Sequence, residues 1–157
     1  MTMNRRMFLM AMGASLAVGG TAIAVRGVIG VASAAVTEVV VWKSPSCGCC
    51  EGWVQHMRAA GYSLTVHDVD DVDPIKARLG VPANMQSCHT ALVDGYVLEG
   101  HVPADSVTRL LRERPVAKGL AVPGMPQGSP GMETGVKEPY AVVLFGTPGG
   151  ASVYEQR

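Results

Sequence analysis

EVVVWKSPSCGCC, residues 38–50, joins a run of β-branched residues to a cluster of three cysteines. Residues 38–42 are typical of a buried strand, and Ser44-Pro45-Ser46 ends it. After the cysteines, apolar residues recur at helical spacing, at Trp53, Val54 and Met57. The sequence therefore predicts a strand, a turn and a helix, with the cysteines at the start of the helix.

The remainder of the chain predicts a mixed α/β domain. Strands are expected at residues 63–69, 90–93, 96–98, 140–145 and 152–154, and helices at residues 73–80 and 103–114. Asp94-Gly95 supplies a hairpin turn. The order βα, βα, ββα is that of a thioredoxin-like domain, a mixed sheet with helices on its faces. Residues 115–139 contain five prolines and five glycines, and they predict an irregular Pro/Gly-rich loop before the C-terminal strands.

Residues 1–34 have the features of an export signal. Arg5-Arg6 precedes a weakly apolar stretch, and Ala32-Ser33-Ala34 offers a cleavage site of small residues. The run Asn4-Arg5-Arg6-Met7-Phe8-Leu9 resembles a twin-arginine signal, and Arg26 argues against a stable membrane-spanning helix. We therefore expect a periplasmic domain of residues 35–157. An uncleaved anchor or an ordinary secretory signal is the alternative.

Length and charge limit the classes of function. The 157 residues suffice for one compact domain with an appendage, and 48% of them are hydrophobic against 17% charged. The formal net charge is zero, and without residues 1–34 ten basic residues face thirteen acidic ones. This balance argues against nucleic acid as a partner.

The three clustered cysteines permit two kinds of chemistry. Unpaired backbone N–H groups at a helix start stabilise thiolates, which are both the nucleophilic and the metal-binding form of cysteine. Cys47 and Cys50 have the spacing of redox dithiols. A single tetrahedral zinc ion would use this pair and leave Cys49 pointing elsewhere. Several Cu(I) ions bridged by shared thiolates would use all three sulfurs.

Further soft donors lie outside the cluster. Cys88-His89 adds a fourth thiol and an imidazole immediately before the third strand. In a thioredoxin-like domain the loop entering that strand lies against the start of the first helix, so we expect Cys88 to face the cluster. His101 follows the next strand, near an end of the same sheet. Two thioether candidates, Met125 and Met132, lie in the Pro/Gly loop.

Four blocks of this sequence resemble the domain-of-unknown-function family numbered 411, which includes periplasmic copper-resistance proteins called CopG-like. The blocks are Cys47-Gly48-Cys49-Cys50-Glu51-Gly52-Trp53, Ser87-Cys88-His89-Thr90-Ala91, Glu99-Gly100-His101-Val102-Pro103-Ala104 and Gly119-Leu120-Ala121-Val122-Pro123-Gly124-Met125-Pro126. The resemblance covers residues 38–155 and implies a thioredoxin-like fold, copper binding and redox cycling of the bound copper. The ligands it implies are Cys47, Cys49, Cys50, Cys88, His89 and His101. The closing hairpin departs from the family pattern at residues 146–150.

Together these features predict an exported copper-binding protein that holds Cu(I) in a multinuclear thiolate cluster and contributes to copper resistance. The expected partners are copper ions and other periplasmic copper-handling proteins. Two alternatives use the same sulfurs: a thiol–disulfide oxidoreductase acting through Cys47 and Cys50, and a structural zinc module. A pair of structural disulfides is a third. His56 and His67 are expected to face solvent.

Overall fold

The computed structural model of the protein describes residues 37–157. Its strands are β1 Glu38–Lys43, β2 Ser63–Asp68, β3 Thr90–Val93, β4 Tyr96–Glu99, β5 Gly119–Ala121, β6 Ala141–Thr147 and β7 Gly150–Gln156. Its helices are α1 Gly48–Ala59, α2 Asp73–Leu79 and α3 Ala104–Glu113, and Ala83–Met85 forms a short 3₁₀ turn. The predicted export signal, residues 1–34, lies outside the described residues. None of the helices within residues 37–157 combines the length and the apolar character needed to cross a bilayer.

The strands form one mixed sheet in the order β2-β1-β3-β4-β5-β6-β7. β1 is parallel to β2, to which it is joined through α1, and antiparallel to β3. β3 and β4 form the predicted hairpin, and both turn residues, Asp94 and Gly95, have positive φ, at 46° and 84°. The predicted α/β class is confirmed. The order of elements from β1 to α3 fits the predicted thioredoxin-like arrangement.

Helix α1 packs on the sheet through the face that its spacing predicts. Its buried residues are Cys50, Trp53, Val54 and Met57. The last three join Val39 and Val41 of β1 in the main hydrophobic core. The indole of Trp53 also donates a hydrogen bond from Nε1 to the carbonyl oxygen of Val102, at 2.8 Å. These contacts fix the start of α1, and with it the cysteine cluster, against the end of the sheet.

The prediction that residues 115–139 are wholly irregular is wrong at β5. This strand pairs in parallel with β4 and antiparallel with β6, and its three residues are buried. A Cβ atom on Gly119 would lie 1.8 Å from the carbonyl oxygen of Val97, so the approach of the two backbones requires glycine here. Three residues are too few to reveal the period of a strand. The rest of the stretch, residues 122–139, is irregular as predicted.

The C-terminal strands are present and form an antiparallel pair. β6 and β7 meet at a turn in which Thr147 is paired with Gly150, so the departure at residues 146–150 leaves the hairpin intact. The last residue, Arg157, lies beside α3 and donates a hydrogen bond to the carboxylate of Asp105 at 2.6 Å. The hairpin is thereby attached to the third helix.

Candidate metal centre

Helix α1 begins inside the cysteine cluster. Cys47 is its N-cap residue, with extended backbone angles of −81° and 96°, and Cys49 and Cys50 lie in its first turn. The turn from β1 is closed by a hydrogen bond from the N–H of Cys47 to the carbonyl of Ser44, at 3.1 Å. The cysteines are therefore at the junction of strand and helix, as the sequence predicts.

The four cysteine sulfurs converge although they come from two segments of the chain. Cys49 Sγ lies 3.5 Å from Cys47 Sγ, and it lies 3.8 Å from Cys88 Sγ across 39 residues of sequence. All four Sγ atoms are within 4.8 Å of one another. The expected approach of Cys88 to the start of α1 is confirmed. An ion placed among these sulfurs would contact both segments.

Two of the four sulfurs are bonded to each other. Cys47 and Cys50 form a disulfide, whereas Cys49 and Cys88 are free and half-buried. The bonded pair is the one that has the spacing of redox dithiols. The two free thiols are neighbours that remain unbonded at 3.8 Å, so the structure does not contain the second disulfide of the purely structural interpretation.

His101 directs one ring nitrogen at Cys88. Its Nδ1 is 2.8 Å from the carbonyl oxygen of Pro130, and because a carbonyl only accepts, this nitrogen carries the proton and donates. In the neutral ring Nε2 is then the acceptor, and it lies 3.0 Å from Cys88 Sγ. Burial lowers the pKa of His101. This arrangement, with one nitrogen held by a carbonyl and the other free to accept, is typical of histidines that bind metals.

His89 is wholly buried beside the same sulfur. Its Nδ1 lies 3.4 Å from Cys88 Sγ, and its ring packs on the rings of Trp53 and His101, with centroids 4.6 and 5.1 Å apart. Nε2 has no hydrogen-bond partner within residues 37–157. Burial, followed by the nearby His101 and Lys76, lowers the pKa of His89 well below its usual value. The imidazole is thus neutral, which is the form that binds a metal.

Cys88 is a member of both groups of candidate ligands. Besides the four sulfurs, Cys88, His89 and His101 bring their donor atoms within 4.8 Å of one another. Burial, together with the neighbouring Cys49, raises the pKa of Cys88 to about 12. The sulfur is therefore protonated in the metal-free protein, and a metal that binds it must displace this proton.

The Pro/Gly loop lies against the start of α1. A Cβ atom on Gly131 would lie 2.5 Å from the carbonyl oxygen of Cys49, so the loop backbone contacts the cluster residues directly. Its neighbour Met132 is half-buried, whereas Met125 has 52% of its surface exposed. The hydroxyl of Ser87 donates to the carbonyl of Gly124, which precedes Met125. The structure thus brings the backbone next to each methionine close to the cysteine segments, and thioether coordination stays a prediction.

Two features near the site differ from the sequence-based expectations. His56 does not face solvent as predicted: it is half-buried, and its Nε2 accepts a hydrogen bond from the N–H of Ala104 at the start of α3, at 3.0 Å. His67 is exposed, as predicted. The structure also contains a buried ion pair that the sequence analysis does not predict. It joins Lys76 and Glu99, with 2.6 Å between Nζ and Oε1. The one sequence feature that could have indicated this ion pair is the carboxylate of Glu99, which directly follows the apolar run Tyr96-Val97-Leu98.

The donor atoms suit a soft metal. The candidate ligand groups found among the described residues consist of cysteine and histidine, without a carboxylate. Thiolates select Cu(I) among the common biological metals, and imidazoles accept copper as well as zinc. The buried, unpartnered Nε2 of His89 is a polar atom that a bound ion or a small rearrangement would satisfy. The residues present therefore fit copper.

Comparisons with known proteins agree with this chemistry. The family described as "Protein of unknown function, DUF411" matches residues 85–132, which include Cys88, His89 and His101. A solved structure titled "Copper resistance protein copG", form 2, is 46% identical, with a TM-score of 0.73 over 78% of this chain and 98% of that one. Form 1 is 47% identical, with a TM-score of 0.71 over 76% and 96% of the two chains. No curated protein sequence matches the chain.

Proposed function

The chain belongs to the DUF411 family of CopG-like proteins, and from this premise we propose that it is an exported copper-resistance protein that sequesters Cu(I). The proposed thiolate donors are Cys47, Cys49, Cys50 and Cys88. The observation that carries the proposal is the convergence of their four sulfurs within 4.8 Å. Shared thiolates at such distances favour several bridged Cu(I) ions over a single closed zinc site.

The two histidines extend the proposed site beyond the four sulfurs. Nδ1 of His89 and Nε2 of His101 lie 3.4 and 3.0 Å from the sulfur of Cys88. Copper, when bound, supplies a one-electron couple between Cu(I) and Cu(II), and imidazole donors favour the cupric form. Pro130 fixes the proton of His101 on Nδ1 and leaves Nε2 free to bind. The two histidines are accordingly proposed as donors that tune the potential of copper held by Cys88.

Met125 and Met132 are proposed as outer donors of the same site. Both follow a glycine whose backbone lies near the cysteine segments, Gly124 by the hydrogen bond from Ser87 and Gly131 by its approach to Cys49. Thioethers are soft ligands that suit Cu(I). Their position on the loop would let them bind copper as it enters or leaves.

The state of the disulfide controls how many thiolates are available. With Cys47 bonded to Cys50, two sulfurs remain free. Two electrons and two protons convert this disulfide into two thiols, which then bind copper after losing their protons. Full loading is therefore proposed to require reduced protein.

A reduction-and-loading experiment tests the proposed function. Anaerobically reduced protein should bind more than one Cu(I), and Cys49→Ser should bind fewer ions because it removes the sulfur between Cys47 and Cys88. Ser46→Ala, a change at an exposed residue beside the cluster, is the matched control and should bind the wild-type amount. Unchanged copper content in Cys49→Ser would overturn the shared-thiolate site.

Export is tested separately from binding. The proposed signal is residues 1–34, and it depends on Arg5-Arg6. In a Gram-negative host, Arg5→Lys with Arg6→Lys should retain the protein in the cytoplasm, while the unaltered chain is recovered from the periplasm. Equal periplasmic recovery of both chains would contradict twin-arginine export.

A second candidate function is supported by the disulfide itself. Cys47–Cys50 would act as a thiol–disulfide oxidoreductase, in which a dithiol partner transfers two electrons and two protons to the disulfide and becomes oxidised. Metal-free protein that catalyses insulin reduction without Cys49 and Cys88 would favour this function. Failure of that variant to catalyse the reaction would leave copper binding as the function of the site.

A further inference from the structure

A fully buried ion pair lies behind the candidate metal centre. Lys76 of α2 and Glu99 of β4 have exposed side-chain fractions of 1% and 0%, with Nζ and Oε1 2.6 Å apart. Thr90 of β3 completes the group, because its hydroxyl accepts from Lys76 at 2.9 Å and donates to the second oxygen of Glu99 at 2.6 Å. These three residues are outside the candidate ligand groups.

The Glu99 carboxylate also holds the segment that carries Cys88. Its Oε1 accepts a hydrogen bond from the backbone N–H of Ser87 at 2.7 Å. Ser87 immediately precedes Cys88, so the carboxylate links the loop to α2 and to the β3–β4 hairpin. On the other side of Cys88, the N–H of Gly100 donates to the carbonyl of His89 at 3.0 Å. The backbone of Cys88 is thus held by β4 and the residue that follows it.

Stability alone gives a weak reason for this ion pair. Removing two charges from water offsets most of their attraction, and well-packed apolar residues of similar size often serve a buried site equally well. A carboxylate, in contrast, accepts several hydrogen bonds at once, and Glu99 accepts from Lys76, Thr90 and Ser87. The specific consequence of this arrangement is a fixed position for the Ser87 backbone.

We propose that Glu99, held by Lys76 and Thr90, is a positioning residue that sets the place of the Cys88 sulfur between Cys49 and His101. The contacts it sets are the 3.8 Å separation from Cys49 Sγ and the 3.0 Å separation from His101 Nε2. The Glu99 carboxylate is anchored by Lys76 of α2 and Thr90 of β3, and its Oε1 holds the loop through the N–H of Ser87. Because it binds the backbone, it does not compete with a metal for the sulfur. The copper part of this inference rests on the proposed function.

Two double variants isolate the acceptor from the charge. Lys76→Met with Glu99→Gln removes the ion pair but keeps an oxygen that accepts from Ser87. Lys76→Met with Glu99→Leu removes the ion pair and the acceptor, at nearly the same side-chain volume. The two proteins therefore differ in whether the N–H of Ser87 and the hydroxyl of Thr90 have a polar partner at position 99.

The first readout is independent of copper. In a Cys49→Ala background with the disulfide intact, Cys88 is the one free thiol of the four cysteines. Release of the Ser87 backbone lets this half-buried sulfur reach solvent, so iodoacetamide should modify the Leu variant about tenfold faster than the Gln variant, whose rate should match that of the Cys49→Ala parent.

The second readout is copper affinity with all four cysteines present. Competition with a Cu(I) chelator should show a loss of about 10- to 100-fold in the Leu variant, as for other residues that orient ligands from the outer shell, and near wild-type affinity in the Gln variant. Ser106→Ala, which alters a buried hydroxyl beside β7, is the control for loss of a buried polar group. It should match the Cys49→Ala parent in the alkylation readout and the wild type in copper affinity.

Each outcome decides between the alternatives. Equal alkylation rates in the Gln and Leu variants would overturn the positioning role, whether both rates rise or neither does. If the Leu variant does not fold, Ser87→Pro and Ser87→Ala are compared instead, because only proline removes the backbone N–H. Equal alkylation rates for these two variants would also overturn the positioning role. Wild-type protein that binds no copper would refute the proposed function, while the alkylation comparison would still test the role of Glu99.

Discussion

Gly131→Ala is expected to separate the Pro/Gly loop from the start of α1. Gly131 has a φ of +86°, and a Cβ atom there would lie 2.5 Å from the carbonyl oxygen of Cys49 and 2.6 Å from the amide nitrogen of Trp53. Both neighbours are backbone atoms of a packed helix and cannot rotate away. Either the loop or the helix must therefore shift.

Gly135→Ala separates backbone strain from collision. Gly135 lies in the same loop at a φ of +90°, and nothing lies within 4 Å of the position of its Cβ. Left-handed backbone in alanine costs about 1–2 kcal/mol at either position, and overpacking at Gly131 adds about 1–3 kcal/mol. The free energy of unfolding should fall by roughly 2–5 kcal/mol for Gly131→Ala, against about 1–2 kcal/mol for Gly135→Ala.

Urea unfolding of the two variants measures this difference, provided that their denaturant slopes agree. A Cu(I) competition titration measures its effect on the site. The loop carbonyl of Pro130 holds His101 at 2.8 Å, so displacement of the loop should also lower copper affinity in Gly131→Ala and leave it unchanged in Gly135→Ala. Equal unfolding midpoints, with equal copper affinities, would refute the reasoning that this loop is packed against α1 as part of the site.

Three further changes test the contacts that support the site. Burial lowers the pKa of His56 below its ordinary 6.5, against opposing effects of Glu133 and Asp105, so the contribution of neutral His56 is complete above that pH and is lost as pH falls through the folded-state value. In His56→Gln the amide oxygen can accept from Ala104, so the free energy of unfolding should fall less below about pH 6.5 than in the wild type. His67→Gln is the control. An unchanged pH dependence of stability in His56→Gln would contradict this. The hydrogen bond from Arg157 lowers the pKa of Asp105 below its ordinary 3.8, so the contribution of the carboxylate is present above that pH and is lost as pH falls through the folded-state pKa. Asp105→Asn should therefore flatten acid unfolding below about pH 3.8. An equally steep acid transition would count against the ion pair. Trp53→Phe removes the donor to Val102 and leaves space beside His89, so urea unfolding should show a loss of roughly 2–4 kcal/mol, and a loss below about 1 kcal/mol would show that this indole does not anchor α1.

The approach of Cys88 to the cysteine cluster could be predicted from the sequence. The order of strands and helices places the loop before β3 at the start of α1, and a repeating apolar pattern is strong in α1 and around Asp94-Gly95. Hydrophobic spacing therefore predicts the strands and helices that bring the distant sulfurs together. The same reasoning correctly placed His67 on the exposed edge strand β2.

Other parts of the site depend on contacts that no local pattern reveals. β5 is three residues long and is recognisable through its pairing with β4 and β6. Lys76 and Glu99 are 23 residues apart, and their burial follows from α2 covering the hairpin. His56 meets α3 across 48 residues. The disulfide joins one of the six possible pairs among the four cysteines. Its spacing is that of redox dithiols, but the same sulfurs also suit a metal, so the sequence alone does not decide whether they are bonded.

Copper content and copper-edge X-ray absorption of anaerobically reduced wild-type protein and Cys88→Ser test most directly whether both chain segments hold the metal. The wild type should bind copper with predominantly sulfur ligands. Cys88→Ser should bind fewer ions with fewer sulfur ligands per copper, because Cys88 is the sulfur shared by the cysteine and histidine groups. The same copper content and the same sulfur coordination in both proteins would contradict the account.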